Sequence, residues 1–220
     1  MAIIYSYPSA GSLQGSDLIV ITRFDEEQNN QARTMSANID SIKAYIGSSV
    51  VPASNNYGLY AGTQDGQDIR GNTSERTLIP DGVGSLSVPA DGFSIGDSFR
   101  GVLSGLLSSA NNQVFKIKVY INDVEVLGSG EQTVSNIVDD LFYLNLDFTI
   151  RSIGESGQIA SVASFHYTKQ SNERVEGFSF SDIVEIDTTV QNTLNVTFQW
   201  ANASASNAIQ TKTFVLNKVY

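Results

Sequence analysis

The sequence predicts a mainly β protein, an antiparallel jelly-roll-like β-sandwich preceded by a small strand–loop–helix segment. Three observations predict it. First, Leu144, Leu146, Phe148 and Ile150 alternate with Asn145, Asp147, Thr149 and Arg151, and Leu194, Val196, Phe198 and Trp200 alternate with Asn195, Thr197 and Gln199. A two-residue period puts the apolar set on one face of a pleated strand and the polar set on the other, the pattern of a sheet packed on one side only. Second, the segments between such runs carry turn chemistry: Asp81-Gly82, Asp91-Gly92, Gly128-Ser129-Gly130 and Gly154-Glu155-Ser156-Gly157. Third, no helical period longer than two turns follows residue 50.

The first 50 residues differ from the rest. Leu18-Ile19-Val20-Ile21 is an apolar run opened by Gly15-Ser16-Asp17 and followed by the polar stretch Asp25 to Gln31, so it reads as one strand and a loop. Ser36 is an N-cap candidate, with Asp40 in the first turn where the helix dipole favours an anion. Ile39, Ile42, Tyr45 and Ile46 then recur at three- and four-residue steps, and Gly47 suits the residue past a helix end. The expected element is an amphipathic helix of about three turns. A segment this short buries too little surface to fold alone. Its apolar set must pack on the rest of the chain, on a sister subunit or on another protein.

Residues 48–56 read as a hinge, giving domains 1–50 and 51–220. Strands are expected near 57–61, 83–88, 97–103, 114–121, 124–127, 141–150, 159–167, 178–186, 194–200 and 211–219, with Asn122-Asp123 as a tight hairpin turn. About ten short strands suit a two-sheet jelly roll.

Composition narrows the function. Charged residues are 16% and the net charge is −10, so the surface is built largely from Ser, Thr, Asn, Gln and Gly. Residues 51–220 carry ten Lys and Arg against eighteen Asp and Glu, a balance of −8. That argues against nucleic acid as a partner, because its binding relies on cations displacing counterions. Cysteine is absent, which removes disulfides, thiolate metal sites and Cys nucleophiles. No apolar stretch approaches the ~20 residues that span a bilayer, and residues 1–8 carry no secretory signal, so synthesis in a cytoplasm and no membrane partner are expected.

No catalytic set is visible, and the chain is read as a non-enzyme with no cofactor. His166 is the single histidine, too few for an imidazole metal site, and no Gly-x-Ser-x-Gly surrounds a serine. Asp139 and Asp140 are adjacent on an extended segment and so point to opposite faces, unlike the facing pair of a glycosidase. Asp65-Gly66-Gln67-Asp68 has acidic-loop character without a full calcium-loop pattern. Lys116 and Lys118 share one strand face, read as solvated. Trp200 falls in the inward set with Phe198. Tyr57, Tyr60, Asn111-Asn112 and Gly154–Gly157 are the candidates for an exposed ligand surface.

The run Gly15-Ser16-Asp17-Leu18-Ile19-Val20-Ile21-Thr22-Arg23, followed by Thr34-Met35-Ser36-Ala37-Asn38-Ile39 and Ser41-Ile42-Lys43-Ala44-Tyr45-Ile46, resembles the N-terminal anchoring segment of tailed-bacteriophage structural proteins. The stretch Gly84 to Phe99, the run Asn145 to Arg151 and the ending Phe214 to Tyr220 resemble a jelly-roll domain of viral fibre or surface proteins. The resemblance implies a virion structural protein, a homotrimeric fibre or decoration subunit on a phage head, neck or tail. Its partners would be other virion proteins. It implies that Leu18, Ile19, Ile21, Ile39, Ile42, Tyr45 and Ile46 form the virion anchor. A carbohydrate- or receptor-binding adhesion module, with a host surface glycan as partner, and an envelope depolymerase are the rival readings.

Overall fold

The computed structural model describes residues 14, 16–25, 31–42, 57–169 and 174–220. The chain divides into two compact units, Met1–Asn55 and Asn56–Tyr220.

The described residues of the first unit form a hairpin with a short helical turn. β1 (Leu18–Asp25) pairs antiparallel with β2 (Gln31–Asn38), from Leu18 opposite Asn38 to Asp25 opposite Gln31. This corrects the expected boundary between loop and helix. Ser36 is no N-cap; it lies in β2 opposite Val20, and residues 39–42 form the helical turn. The cap is Asn38, whose Oδ1 accepts the Ser41 N–H at 2.6 Å. The physical reason is that β1 needs a ladder partner for its backbone groups, and Asn38 still supplies a side-chain acceptor for the first turn once residues 31–38 are extended. Asp40 remains in that turn. Tyr45, Ile46 and Gly47 lie outside the described residues.

The second unit is mainly β. Its strands are β3 (Leu59–Gly62), β4 (Ile69–Arg70), β5 (Arg76–Thr77), β6 (Gly82–Ser85), β7 (Ser87–Val88), β8 (Ser98–Ser109), β9 (Gln113–Ile121), β10 (Val124–Gly128), β11 (Gln132–Val134), β12 (Ile137–Ser152), β13 (Gly157–Lys169), β14 (Arg174–Ile186), β15 (Asn192–Trp200) and β16 (Ala208–Lys218). The larger sheet runs β14-β13-β12-β8-β16-β3-β6, with β4 also on β16. The smaller runs β10-β9-β15-β5, with β11 on β9 and β7 on β15. The strand pairings are antiparallel, and the two sheets make a sandwich-like arrangement.

Alternation sets the layers. In β12, Phe142, Leu144, Leu146, Phe148 and Ile150 are buried, while Tyr143, Asp147 and Arg151 are exposed. β15 and β9 supply Phe198, Trp200 and Phe115 to the same interior, each with no exposed surface. Phe115 stacks on Phe198 at 4.9 Å and meets Trp200 edge-on, the offset and perpendicular arrangements that ring quadrupoles favour. The Trp200 indole N–H donates to the Ile69 carbonyl at 3.3 Å, so the core's largest ring leaves no polar atom without a partner. At ~1.5–3 kcal/mol per fully buried apolar side chain, this aromatic interior supplies the main term holding the sheets together.

Two departures from regular pairing matter for the surface. Asn122 has φ 53° in the β9–β10 turn, a left-handed conformation that asparagine tolerates. Asp139 has φ 50° at a bulge in β12, where its N–H and its carboxylate both bond the Ser108 hydroxyl at 2.9 Å.

Candidate functional site

The N-terminal hairpin and the helical turn after it carry Leu18, Ile19, Ile21, Ile39 and Ile42 of the residues that the resemblance assigns to attachment. Before β1 the backbone turns at Gln14–Asp17: the Asp17 N–H donates to the Gln14 carbonyl at 3.0 Å, and the Gln14 N–H donates to the Asp17 carboxylate at 2.7 Å. The Asp17 carbonyl accepts the Ile39 N–H at 3.0 Å, which ties the start of β1 to the start of the helical turn. Leu18 and Val20 are 70% and 72% exposed and Ile19 is 40% exposed. Since successive side chains alternate, apolar surface stands on both faces of this strand. Ile21 pairs with Met35 in the ladder. Ile39 and Ile42 are half-buried. The structure therefore brings Leu18 and Ile39 to the same end of the hairpin, while Tyr45 and Ile46 fall outside the described residues.

The sandwich carries two polar clusters that sequence reasoning missed. One lies on the outer face of the smaller sheet. Lys118 Nζ is 3.0 Å from a Glu125 carboxylate oxygen, 3.8 Å from Glu75, and donates to the Tyr120 hydroxyl at 3.2 Å. Glu75 in turn accepts the Thr197 hydroxyl at 2.6 Å, and Asn195 accepts the Thr77 hydroxyl at 2.8 Å. The hydrogen bond to Glu125, then that to Tyr120, raises the Lys118 pKa against a smaller opposing effect of burial. Lys116 pairs with Glu131 at 3.2 Å, so both lysines of this face are matched by carboxylates. The register signal existed: Lys118 and Thr197 are Cα partners, as are Thr197 and Thr77. Pairing of strands some 80 residues apart is not readable from one chain's periodicity.

The other cluster sits at the end of β13 and the start of β14. Glu176 accepts the Tyr167 hydroxyl at 3.0 Å, the Ser135 hydroxyl at 3.1 Å and the Lys169 ammonium at 3.4 Å. Burial first, and then the bond to the Glu176 carboxylate, pushes the Tyr167 hydroxyl up to about 12. The Tyr167 bond is the main cause holding Glu176 below its ordinary value, with burial opposing it. An open cleft here is lined by Gln132, Thr133, Val175 and Phe178. Tyr167 and Glu176 are Cα partners in the β13–β14 ladder, so pairing these two neighbouring strands antiparallel would have found the pair.

The other sequence candidates resolve as follows. Tyr57 sits under the Lys218 ammonium, 4.9 Å from its ring centroid, and the Tyr60 hydroxyl donates to the Pro80 carbonyl at 2.9 Å while its ring packs on Phe214. Both serve packing as much as exposure. Asp65 pairs with Lys212, and Asp68 with Arg70 at 3.1 Å, so the carboxylates of that loop face cations of the chain itself. His166 lies on the outer face of the larger sheet, across from Tyr143 and Gly177. Among the described residues no three His, Asp or Glu side chains are placed to share a metal ion. No helix among them is long and apolar enough to cross a membrane.

No family model matches the chain, and no curated protein does. Among solved structures, the CBM2 module of Lactobacillus casei BL23 phage J-1 evolved Dit is similar at 9% identity and a TM-score of 0.23, over 61% of this chain and 69% of that one.

Proposed function

We propose that this chain is a structural protein of a tailed-phage virion, a homotrimeric fibre or decoration subunit that performs no catalysis. The N-terminal hairpin attaches it to a head, neck or tail protein, and the sandwich is the projecting body. The observation that carries this reading is the exposed run Leu18, Ile19 and Val20 on a hairpin that forms its own compact unit. A two-stranded hairpin is marginal alone in water, and Leu18 and Val20 stand together on one face of β1, an apolar pair that a covering protein takes out of water. The resemblance of residues 15–23 and 34–46 to a phage anchoring segment supports the same assignment. Each of these side chains contributes roughly 1.5–3 kcal/mol when fully covered. Three chains held together multiply that attachment through effective concentration.

The test is attachment itself. The full-length chain with Leu18→Asp and Val20→Asp is expected to keep its sandwich and lose binding to phage particles assembled without this protein. Undiminished binding would overturn the anchoring role.

A second reading, an adhesion module for a neutral glycan, has one observation in its favour. The outer face of the smaller sheet sets the Tyr120 ring beside Lys118, Glu125 and Asn195, side chains suited to hydroxyl groups. A glycan array probed with the intact protein, with and without Tyr120→Ala, tests it. Signals that vanish in the variant favour this reading, and an array without signals rejects it.

A further inference from the structure

We propose that the outer face of the larger sheet, across β14, β13, β12, β8 and β16, is where copies of this chain meet. The inference rests on the self-association in the reading above and names the surface responsible.

The ladder register lays that face out in rows. One row runs Gly177, His166, Tyr143, Ser104, Thr213; the next Ser179, Ser164, Asn145, Val102, Val215; the third Ser181, Val162, Asp147, Arg100, Asn217. Three rows of five positions hold two charges, Arg100 and Asp147, and these neutralise one another across 2.7 Å. The chain as a whole carries −10. Two such acidic bodies repel over most of their surfaces, and like charges brought together at an interface cost several kcal/mol. This face is a broad region where the repulsion is absent.

Its side chains suit contact. Tyr143, Val162 and Val215 are 47%, 53% and 41% exposed, and they stand among Ser, Thr, Gly and Asn, which let another surface approach closely. Leu141, one step beyond the first row, adds apolar area at 48% exposure. Five strands at ~4.8 Å spacing and the seven positions from Leu141 to Asp147 at ~3.3 Å rise give a patch of roughly 550 Å². Specific interfaces start at about 1,000 Å² in total, about 500 Å² per partner, and this patch turned against neighbouring copies reaches that low end. The occupant assigned is further copies of this chain: in a closed trimer three copies turn this same neutral patch toward a common axis, each sharing it with two neighbours, and leave the acidic surround outside.

The experiment uses the full-length chain and measures its mass in solution by light scattering across a dilution series. Two variants, Val162→Asp and Ser164→Arg, place an unpaired charge in the middle of the rows. Both positions lie on the outward side of β13, and far-ultraviolet circular dichroism with a thermal melt verifies that each variant folds. Ile95→Asp, at a 66% exposed loop position away from these rows, serves as the control. The expected result is an oligomer for the wild type and the control, with dissociation constants raised at least about 100-fold in both face variants. A wild-type oligomer that both variants leave intact overturns the face while sparing the trimer. A wild-type chain of monomer mass, whether the face is bare or covered by the chain's own N-terminal unit, overturns both.

Discussion

Lys218 and Asp97 form an ion pair at 2.8 Å that locks the end of β16 against the segment entering β8. Asp97 is 8% exposed, and its other carboxylate oxygen accepts the Ser94 N–H at 3.0 Å. Above the ammonium lie the Tyr57 ring at 4.9 Å and the Phe99 ring at 5.8 Å, so the cation is shared between a carboxylate and two aromatic faces. Replacing Lys218 with Met keeps the stem and leaves a shielded carboxylate with one partner fewer. The expected loss is about 1–3 kcal/mol in urea unfolding. Burial lowers the Lys218 pKa, but the Asp97 and Tyr57 bonds outweigh it and the net shift is upward. A cation whose pKa is raised on folding stabilises fully below its unfolded value near 10.4 and loses that stabilisation as pH rises through the folded value. The alkaline limb of wild-type stability is therefore expected to be steeper than that of Lys218→Met.

Glu176 governs the opposite limb. Its pKa is lowered chiefly by the Tyr167 hydroxyl, so its contribution is present above the unfolded carboxylate value and disappears as pH falls through the folded one. Glu176→Gln is expected to lose about 1–2 kcal/mol at neutral pH and to flatten the decline as pH falls below the unfolded carboxylate value near 4.3. Thermal melts of both proteins across that range check it. An unchanged acid slope would show that the carboxylate is not the group responsible.

Core truncation sets the scale for these effects. Trp200 and Phe115 have no exposed surface and touch one another. Phe115→Ala is expected to cost about 3–5 kcal/mol, since it removes stacking on Phe198 and leaves a cavity between the sheets. Chemical unfolding measures it, and a loss under 1 kcal/mol would contradict the packing described.

Gly105 is held by space and not by dihedral. A Cβ there would fall inside contact distance of the Gln210 carbonyl on β16, and at 2.9 Å from the Phe142 ring. Gly105→Ala is expected to destabilise by about 1–3 kcal/mol through separation of β8 from β16. Differential scanning calorimetry reads the shift directly.

The legible part of this molecule was its alternation. Leu144 to Ile150 and Leu194 to Trp200 announce one buried face each, and the structure buries those side chains. Strands of two or three residues such as Ile69–Arg70 and Gln132–Val134 were not legible, because a two-residue period needs more than one repeat to be seen. Residues 31–38 were misread because their edge pairing with β1, and not side-chain periodicity, decides their backbone. The Lys118–Glu75–Glu125 cluster was hidden for another reason: it assembles from β9, β10 and the approach to β5, which only the sheet order brings together. Leu18, Ile19 and Val20 were legible as apolar, and their exposure is what the structure adds.

The most direct measurement is the amount of protein retained, after extensive washing, on phage particles assembled without this protein, compared between the wild-type chain and Leu18→Asp/Val20→Asp at equal concentration. Attachment through the hairpin predicts retention by the wild type and a fall of at least tenfold in the variant, with the sandwich melting unchanged. Equal retention of the two proteins, or no retention of either, would contradict the account.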